Sequence, residues 1–204
     1  ERSSWGRTAT GITSSKLDPA PTPLVTYATA QHNFTYGLMF TASHNPALWN
    51  GLKVFAEDGS LPLDDETRLV AAEANAIQAP NVVKVELETA LESGLATFAD
   101  YTNEYVDAVE ALIDLKAIRE AGLRVVLDPM YGVGQVTLET VLIEARCRVN
   151  TIHGRHDPLF GGRSPAPDAS ALGNLINTVI EGRYDLGLAM DGDADRIAIV
   201  DDMG

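Results

Sequence analysis

The stretch 184–200 reads Y-D-L-G-L-A-M-D-G-D-A-D-R-I-A-I-V, with two apolar runs on either side of a short acidic segment. The runs Tyr184–Met190 and Ile197–Val200 have the length and composition of buried strands. The acidic segment between them is therefore expected at the end of a sheet, where α/β proteins usually bind their ligands. The pattern indicates an α/β fold with a polar site at a sheet end.

The acidic segment itself indicates a metal site. Asp191, Asp193 and Asp195 occupy alternate positions, and alternate side chains of an extended segment share one face. Three converging carboxylates repel unless a proton or a cation lies among them, and hard oxygen donors suit Mg²⁺, Ca²⁺ or Mn²⁺. An EF-hand is excluded, because its loop position six has to be glycine and is Arg196 here. An acidic surface loop is the alternative interpretation in so acidic a chain.

A second motif, T-A-S-H-N-P, covers residues 41–46 and is followed by N-G-L-K at 50–53. Asn45 is a suitable N-cap and Pro46 suits the first position of a helix, so one helical turn is predicted here. Free N–H groups at such a helix start would stabilise an anion near Ser43, including a phosphate on that serine. The alternative is an ordinary Ser/Asn/Pro turn.

Together the two motifs resemble those of the α-D-phosphohexomutase family, which includes phosphoglucomutases and phosphomannomutases. Further similarity lies between and before them, and the resemblance covers roughly residues 19–204. The additional matching segments are P-T-P at 21–23, the glycine loop 128–134, D-x-x-F at 157–160 and P-x-P at 165–167.

The resemblance implies a role for each motif residue. Ser43 would carry the phosphoryl group, and Lys53 would transfer a proton at the sugar hydroxyl. The other implied roles are Mg²⁺ ligands at Asp191, Asp193, Asp195 and a phosphoserine oxygen, phosphate contacts at Arg196 and Asn45, and a catalytic-loop role at His44. Taken without the motif, His44 would be interpreted as a turn or packing residue and Lys53 as a solvated lysine.

The family reaction is a reversible conversion of hexose 1-phosphate into hexose 6-phosphate. The phosphoserine donates its phosphoryl group to a hexose monophosphate, and the other phosphate of the resulting hexose 1,6-bisphosphate returns to the serine. The implied cofactors are one Mg²⁺ per site and the bisphosphate as activator. As a base, Lys53 would need a lowered pKa, which nearby cations such as Arg196 and partial desolvation are expected to provide. The motif forms slightly favour glucose or mannose phosphate over glucosamine phosphate.

The chain is expected to contain two three-layer α/β/α domains with mixed sheets, at 1–95 and 96–204, the first incomplete. The family's N-terminal glycine–arginine segment has only a faint counterpart at 5–8, and no segment resembles its sugar-binding loop. We therefore expect the chain to rely on C-terminal domains of the same protein and to be nearly inactive alone. A hexose phosphate and those domains are its expected partners.

Local patterns predict the remaining secondary structure. Helices are predicted at 21–31, 64–77, 98–113, 135–144 and from 168 or 170 to about 181, strands at 38–41, 53–55, 123–127 and 148–152, and an extended stretch at 82–87.

Composition narrows the functional classes. A net charge of −14 argues against a surface for nucleic acid or for an anionic membrane. No apolar run reaches the roughly 18 residues of a membrane-spanning helix. Cys147 is the single cysteine, so an internal disulfide is impossible and a cytoplasmic location is the simpler expectation.

Two other functions stay open. One is a metal-dependent phosphatase in which Asp191 is the nucleophile and Ser43 takes no part. The other is a non-catalytic interaction module derived from a mutase, which would keep the fold without needing metal or phosphate.

Overall fold

The computed structural model describes residues 12–204, which form two compact units. The first unit contains the described residues up to Asp18 together with Leu61–Asp100, and the second contains Pro19–Ser60 and Tyr101–Gly204. Both sequence motifs therefore lie in the second unit. These units are a different kind of division from family domains, so the boundary between residues 95 and 96 stays a prediction. The faint N-terminal counterpart at 5–8 lies outside the described residues.

The described residues form eight strands and seven α-helices. The strands are β1 Ser14–Lys16, β2 Gly37–Phe40, β3 Leu52–Phe55, β4 Ala96–Phe98, β5 Arg124–Asp128, β6 Arg148–Thr151, β7 Leu186–Met190 and β8 Ile197–Asp201. The α-helices are α1 Thr22–Gln31, α2 Asp64–Ala76, α3 Leu87–Glu92, α4 Thr102–Glu110, α5 Leu115–Ala121, α6 Gln135–Glu144 and α7 Gly173–Gly182.

The first unit is built around a parallel pair of strands, β1 and β4. Helix α3 packs beside β4, and the contact buries Ala90 and Ala96 completely. Helix α2 begins with three acidic residues in its first turn, which favours a helix start through the helix dipole.

The second unit contains a four-stranded mixed sheet in the order β6-β5-β7-β8, in which β8 alone is antiparallel. Val126 of β5 packs with α7, whereas its neighbours Val125 and Leu127 pack with the α6 side. Successive strand residues thus point to opposite faces, and each face is covered by a helix. This confirms an α/β fold with a mixed sheet between helical layers.

The serine motif lies between β2 and β3, which pair as antiparallel strands. Helix α1 packs closely on β2, since a Cβ added at Gly37 would lie 2.2 Å from the Thr29 hydroxyl oxygen. This packing fixes the position of the loop 41–51, which leaves β2 and returns to β3.

Two predicted helices were wrong in position, and one extended stretch differs slightly in its bounds. The helix predicted at 98–113 begins only at Thr102, because residues 96–98 pair with β1. The stretch predicted as extended at 82–87 is extended at Val82 and at Glu86, forms no strand, and stops one residue earlier because Leu87 starts α3. The helix predicted from 168 or 170 begins at Gly173.

The cause of the last error is local. The Asp168 carboxylate accepts backbone N–H bonds from Ser170 and Ala171, which closes a separate turn before α7. Such Asp-stabilised turns compete with helix initiation, and here the turn prevails. None of the described helices combines the length and the apolar character that crossing a bilayer requires.

A substitution of Gly187 tests how closely α7 packs on the sheet. A Cβ at this β7 position would lie 2.8 Å from Val179 Cγ2 and 3.0 Å from Leu175 Cδ1. We expect Gly187→Ala to lower the free energy of unfolding by about 1–3 kcal/mol through overpacking. Gly173→Ala is the control, since nothing lies within 4 Å of its Cβ position. Equal urea midpoints for the two variants would contradict this account of the core.

Candidate active site

The serine loop and the acidic loop meet in the second unit. The Ser43 hydroxyl donates a hydrogen bond to Asp191 Oδ2 over 3.1 Å, although the two residues are 148 positions apart. The backbone N–H of Ser43 donates to the Thr41 hydroxyl over 2.8 Å. The predicted proximity of the two motifs is thus present in the folded chain.

The acidic loop is a turn and not an extended segment, so the alternate spacing of its three aspartates does not explain why their carboxylates converge. Asp191 Oδ1 accepts backbone N–H bonds from Asp195 and Arg196 over 3.0 and 3.1 Å, which folds the loop back on its first residue. Ala194 takes a left-handed conformation with φ of 57°. One carboxylate oxygen from each of Asp191, Asp193 and Asp195 lies within 4.8 Å of the others. The carboxylates converge because the chain turns around Asp191.

The Asp193 carboxylate accepts hydrogen bonds from three distant parts of the chain. Its Oδ2 accepts from the hydroxyls of Thr22 and Thr41, each over 3.0 Å, and from Lys53 Nζ over 2.7 Å. Thr22 also donates its backbone N–H to the Asp193 carbonyl over 2.8 Å. Both threonines lie within the sequence motifs, but neither was predicted to have a role. Their position inside those motifs is the only feature of the sequence that could have indicated this role.

The carboxylate oxygens of the acidic loop are suitable ligands for a hard divalent cation. The other oxygen of Asp193, Oδ1, is buried and has no hydrogen-bond partner among the described residues. A buried carboxylate oxygen without a partner is costly unless a cation approaches it. Together with the oxygens of Asp191 and Asp195, it offers the ligand type preferred by Mg²⁺, Mn²⁺ or Ca²⁺.

Lys53 neutralises part of this negative charge. Its Nζ lies 2.7 Å from Asp193 Oδ2 and 2.6 Å from Asp195 Oδ2. Partial burial alone would lower the pKa of Lys53, but the hydrogen bonds and the attraction of the two carboxylates outweigh it and raise that pKa. The expectation of a lowered Lys53 pKa was wrong for this arrangement, because anions and not cations surround the ammonium.

The two buried acids differ in their proton affinity. Burial and the repulsion of Asp193 raise the pKa of Asp191 to about 6, although backbone N–H bonds partly oppose the shift. Burial acts in the same direction on Asp193, but the Lys53 ammonium and the threonine hydroxyls outweigh it and lower the pKa of Asp193. At neutral pH both are therefore anionic, with Asp191 the less stably ionised.

Gly192 is the point where three loops touch. A Cβ at this residue would lie 2.9 Å from the Ser43 carbonyl oxygen, so the serine loop rests directly on the acidic loop. A Cβ at Gly132, in the glycine loop after β5, would lie 2.5 Å from the Gly192 carbonyl oxygen. Val133 also donates its N–H to that carbonyl over 3.2 Å. Gly132 and Gly192 therefore have to be glycine, because a side chain at either position would clash with the neighbouring backbone.

The remaining predicted residues occupy the rim of the site. His44 is half-buried, and its Nδ1 is buried without a hydrogen-bond partner in the part of the chain described. The exposed Asn45 donates its side-chain amide and its backbone N–H to the Ala42 carbonyl. Arg196 is exposed and contributes its backbone N–H to Asp191. Side-chain contacts of Asn45 and Arg196 with phosphate stay predictions.

The helical turn predicted after Asn45 was wrong. Residues 43–48 form successive turns, and a Trp49 N–H to Pro46 carbonyl bond closes the second one. Asn45 stabilises the first turn from its C-terminal side and does not cap a helix. Ser43 lies in the left-handed region with φ of 52°, which directs its hydroxyl to Asp191.

Sequence comparison finds related proteins over both halves of the chain. Residues 4–81 match the profile described as phosphoglucomutase/phosphomannomutase, alpha/beta/alpha domain I, and residues 103–204 match domain II of the same description. A phosphoglucosamine mutase of Thermoanaerobacter sp. (strain X514) is 33% identical over 98% of this chain. A phosphoglucomutase/phosphomannomutase of Thermococcus kodakarensis is 31% identical, also over 98% of the chain.

The fold has solved counterparts. A crystal structure from Thermus thermophilus, described as a phosphomannomutase, superposes with a TM-score of 0.84 and 28% identity over 96% of this chain. That superposition covers 43% of the solved chain. The present chain likewise spans 42% of the length of the Thermoanaerobacter and Thermococcus relatives.

The raised pKa of Asp191 predicts a pH-dependent stability in metal-free buffer. Between about pH 4 and pH 6 the folded state binds more protons than the unfolded state, so stability falls as pH rises. Asp191→Asn should remove this loss and be about 1–3 kcal/mol more stable than the parent at pH 7.5, but equal to it near pH 4. Urea unfolding in EDTA measures the difference.

Asp202→Asn is the matched control for that experiment, because it removes the same charge from an exposed turn. It should leave the shape of the stability–pH curve unchanged. A constant difference between Asp191→Asn and the parent at every pH would mean that Asp191 is not protonated in the predicted range.

Proposed function

The chain belongs to the phosphoglucomutase/phosphomannomutase, or α-D-phosphohexomutase, family, and on that premise we propose that Ser43 carries a phosphoryl group in a hexose-phosphate mutase reaction. The Ser43 Oγ–phosphorus bond breaks as a hydroxyl oxygen of a hexose monophosphate bonds to phosphorus, and the proton lost by that hydroxyl is balanced by one gained at Ser43 Oγ. The resulting hexose 1,6-bisphosphate then returns its other phosphoryl group to Ser43. The observation that carries the proposal is the hydrogen bond between Ser43 Oγ and Asp191 inside the acidic loop.

The surroundings of Asp191 favour the serine as carrier over an aspartyl nucleophile. Asp191 is fully buried, one of its oxygens accepts two backbone N–H bonds, and the other accepts the Ser43 hydroxyl. An attacking carboxylate would have to break these bonds and reach solvent-borne substrate. The Ser43 hydroxyl is half-buried and takes part in only the last of these three bonds.

A divalent cation, in the proposal Mg²⁺, would be held by Asp191, Asp193, Asp195 and an oxygen of phosphorylated Ser43. The unpartnered Oδ1 of Asp193 and the close carboxylate oxygens support this assignment. Bound Mg²⁺ would supply a Lewis acid that neutralises charge on the phosphoryl oxygens. The protein's part is to hold Ser43 Oγ in place and to fix the carboxylates through Thr22, Thr41 and backbone donors.

Lys53 is proposed to move the proton that the exchange requires. When the phosphoryl group returns to Ser43, the oxygen left on the sugar has to gain a proton. The raised pKa of Lys53 keeps a proton on Nζ at neutral pH, which suits a donor in that direction. In the opposite direction the same nitrogen would accept the hydroxyl proton. His44 is proposed to shape the serine loop beside it.

The whole reaction is proposed to need residues beyond those of this chain. The chain spans only 42% of the length of the Thermoanaerobacter and Thermococcus relatives. Sugar selection is proposed to depend on the rest of the protein. Relatives named for glucosamine and for glucose or mannose phosphates match at similar identity, so the proposed substrate is a hexose monophosphate. The preference for glucose or mannose phosphate stays a prediction, as does activation by the bisphosphate.

Phosphorylation of Ser43 is the first test. Incubating the protein with glucose 1,6-bisphosphate and Mg²⁺ should add one phosphoryl group, measured by intact-mass spectrometry and located by peptide mapping. Ser43→Ala should add none, and EDTA should prevent the addition to the parent. Ser60→Ala removes an exposed hydroxyl and is the control that keeps phosphorylation. A phosphoryl group retained by Ser43→Ala, or found on Asp191, would favour the phosphatase alternative.

Lys53→Gln is expected to separate metal binding from proton transfer. Any cation at these oxygens competes with the Lys53 ammonium, so Mg²⁺ affinity measured by calorimetry should rise about three- to tenfold, an effect on the order of 1 kcal/mol. The rate of phosphoryl exchange with glucose 1-phosphate should instead fall about 10²- to 10⁴-fold, because the proton carrier is lost.

The control for Lys53→Gln is Lys84→Gln, which removes an exposed ammonium and should change neither quantity. Weaker Mg²⁺ binding in Lys53→Gln would mean that the lysine supports the metal site. An unchanged exchange rate would remove Lys53 from the proton-transfer step.

A further inference from the structure

One loop touches both halves of the proposed site. We name residues 157–164 the brace loop. At one end, the Ser164 hydroxyl donates to the His44 backbone carbonyl over 2.8 Å, next to Ser43. Nearer its other end, the Phe160 ring faces Gly192, since a Cβ at that glycine would lie 3.1 Å from two ring carbons. The brace loop therefore contacts the serine loop and the acidic loop together.

The shape of the brace loop is set by Asp157. Its carboxylate accepts backbone N–H bonds from Leu159 and Gly161 over 2.9 and 3.3 Å, and its carbonyl accepts the Phe160 N–H over 2.9 Å. Phe160 and Gly161 both have positive φ, at 51° and 63°. This tight turn orients the Phe160 ring towards Gly192. It also gives a physical reason for the D-x-x-F pattern.

A chain of polar contacts that begins at a buried aspartate anchors the brace loop to the sheet. Asp128 closes β5 and is 1% exposed, and its Oδ2 lies 2.9 Å from His153 Nδ1. The Arg163 guanidinium lies 3.2 Å from His153 Nε2. Because arginine can only donate, Nε2 accepts and Nδ1–H donates to Asp128. The link Asp128–His153–Arg163 thus ties the residue before Ser164 to a rigid strand end.

We propose that Ser164 is a positioning residue, which through the His44 carbonyl holds the Ser43 hydroxyl at its place against the acidic loop. The inference rests on the proposed function, because it concerns the same phosphoryl carrier. Ser164 is exposed, so its hydroxyl bond contributes little to global stability. Phosphoryl transfer, in contrast, is sensitive to misplacement of the reacting oxygen, and a shift of about 1 Å can cost about a hundredfold in rate.

The test compares Ser164→Ala with Ser164→Thr, which keeps the hydroxyl. The first readout is amide hydrogen exchange of the 41–50 segment, and the second is single-turnover transfer from phosphorylated Ser43 to glucose 1-phosphate. Ser164→Ala should exchange faster in this segment and lose about ten- to a hundredfold in maximal transfer rate, with the half-saturating sugar concentration unchanged. Ser164→Thr should restore both. The melting temperature should be the same in all variants.

Ser170→Ala is the control, since that hydroxyl bonds only to Asp168 within its own turn among the described contacts. If Ser164→Ala leaves exchange of 41–50 unchanged, or changes exchange but not the transfer rate, the positioning role is overturned. If the full-length protein, with the C-terminal domains that the reaction is expected to need, transfers no phosphoryl group at all, the proposed function fails. In that case faster exchange in Ser164→Ala supports the brace contact alone, and unchanged exchange overturns it.

Discussion

The cost of placing two carboxylates out of water within one short loop governs this structure. Asp191 and Asp193 are 0% and 2% exposed, and each repels the other. The loop supplies backbone N–H bonds to Asp191 from its own residues. Asp193 cannot be satisfied in that way, so its partners come from distant parts of the chain. The architecture of the second unit follows from that requirement.

Those partners explain why α1, β2 and β3 join the mixed sheet in one compact unit. Thr22 begins α1, Thr41 follows β2 and Lys53 lies on β3, and all three direct a donor at the same Asp193 oxygen. Without these donors and without a metal ion, Asp193 would be a buried anion with no partner, which is strongly destabilising. The same contacts bring Ser43 to Asp191. The same set of contacts therefore both packs around Asp193 and places the Ser43 hydroxyl.

Sequence reasoning found the strands on either side of the acidic loop because continuous apolar runs identify buried strands directly. It also singled out Ser43, Lys53 and the three aspartates from their motifs; the fold brings these side chains together, and the roles expected of them stay predictions. It failed where non-local contacts decide the outcome. Residues 96–98 become a strand only because β1 is available to pair with them. The Lys53 pKa likewise depends on which charges the fold places beside the ammonium, and no local pattern contains that information.

The hydrogen bonds of Asp193 join residues 171 and 152 positions apart. During synthesis, α1 and the serine loop leave the ribosome long before the acid that accepts their hydroxyls. Closing so long a loop is entropically costly and has to wait for the intervening sheet to form. Assembly of the proposed catalytic centre is therefore expected late in folding, and a nascent chain would present Ser43 without its acidic partners until the sheet is nearly complete.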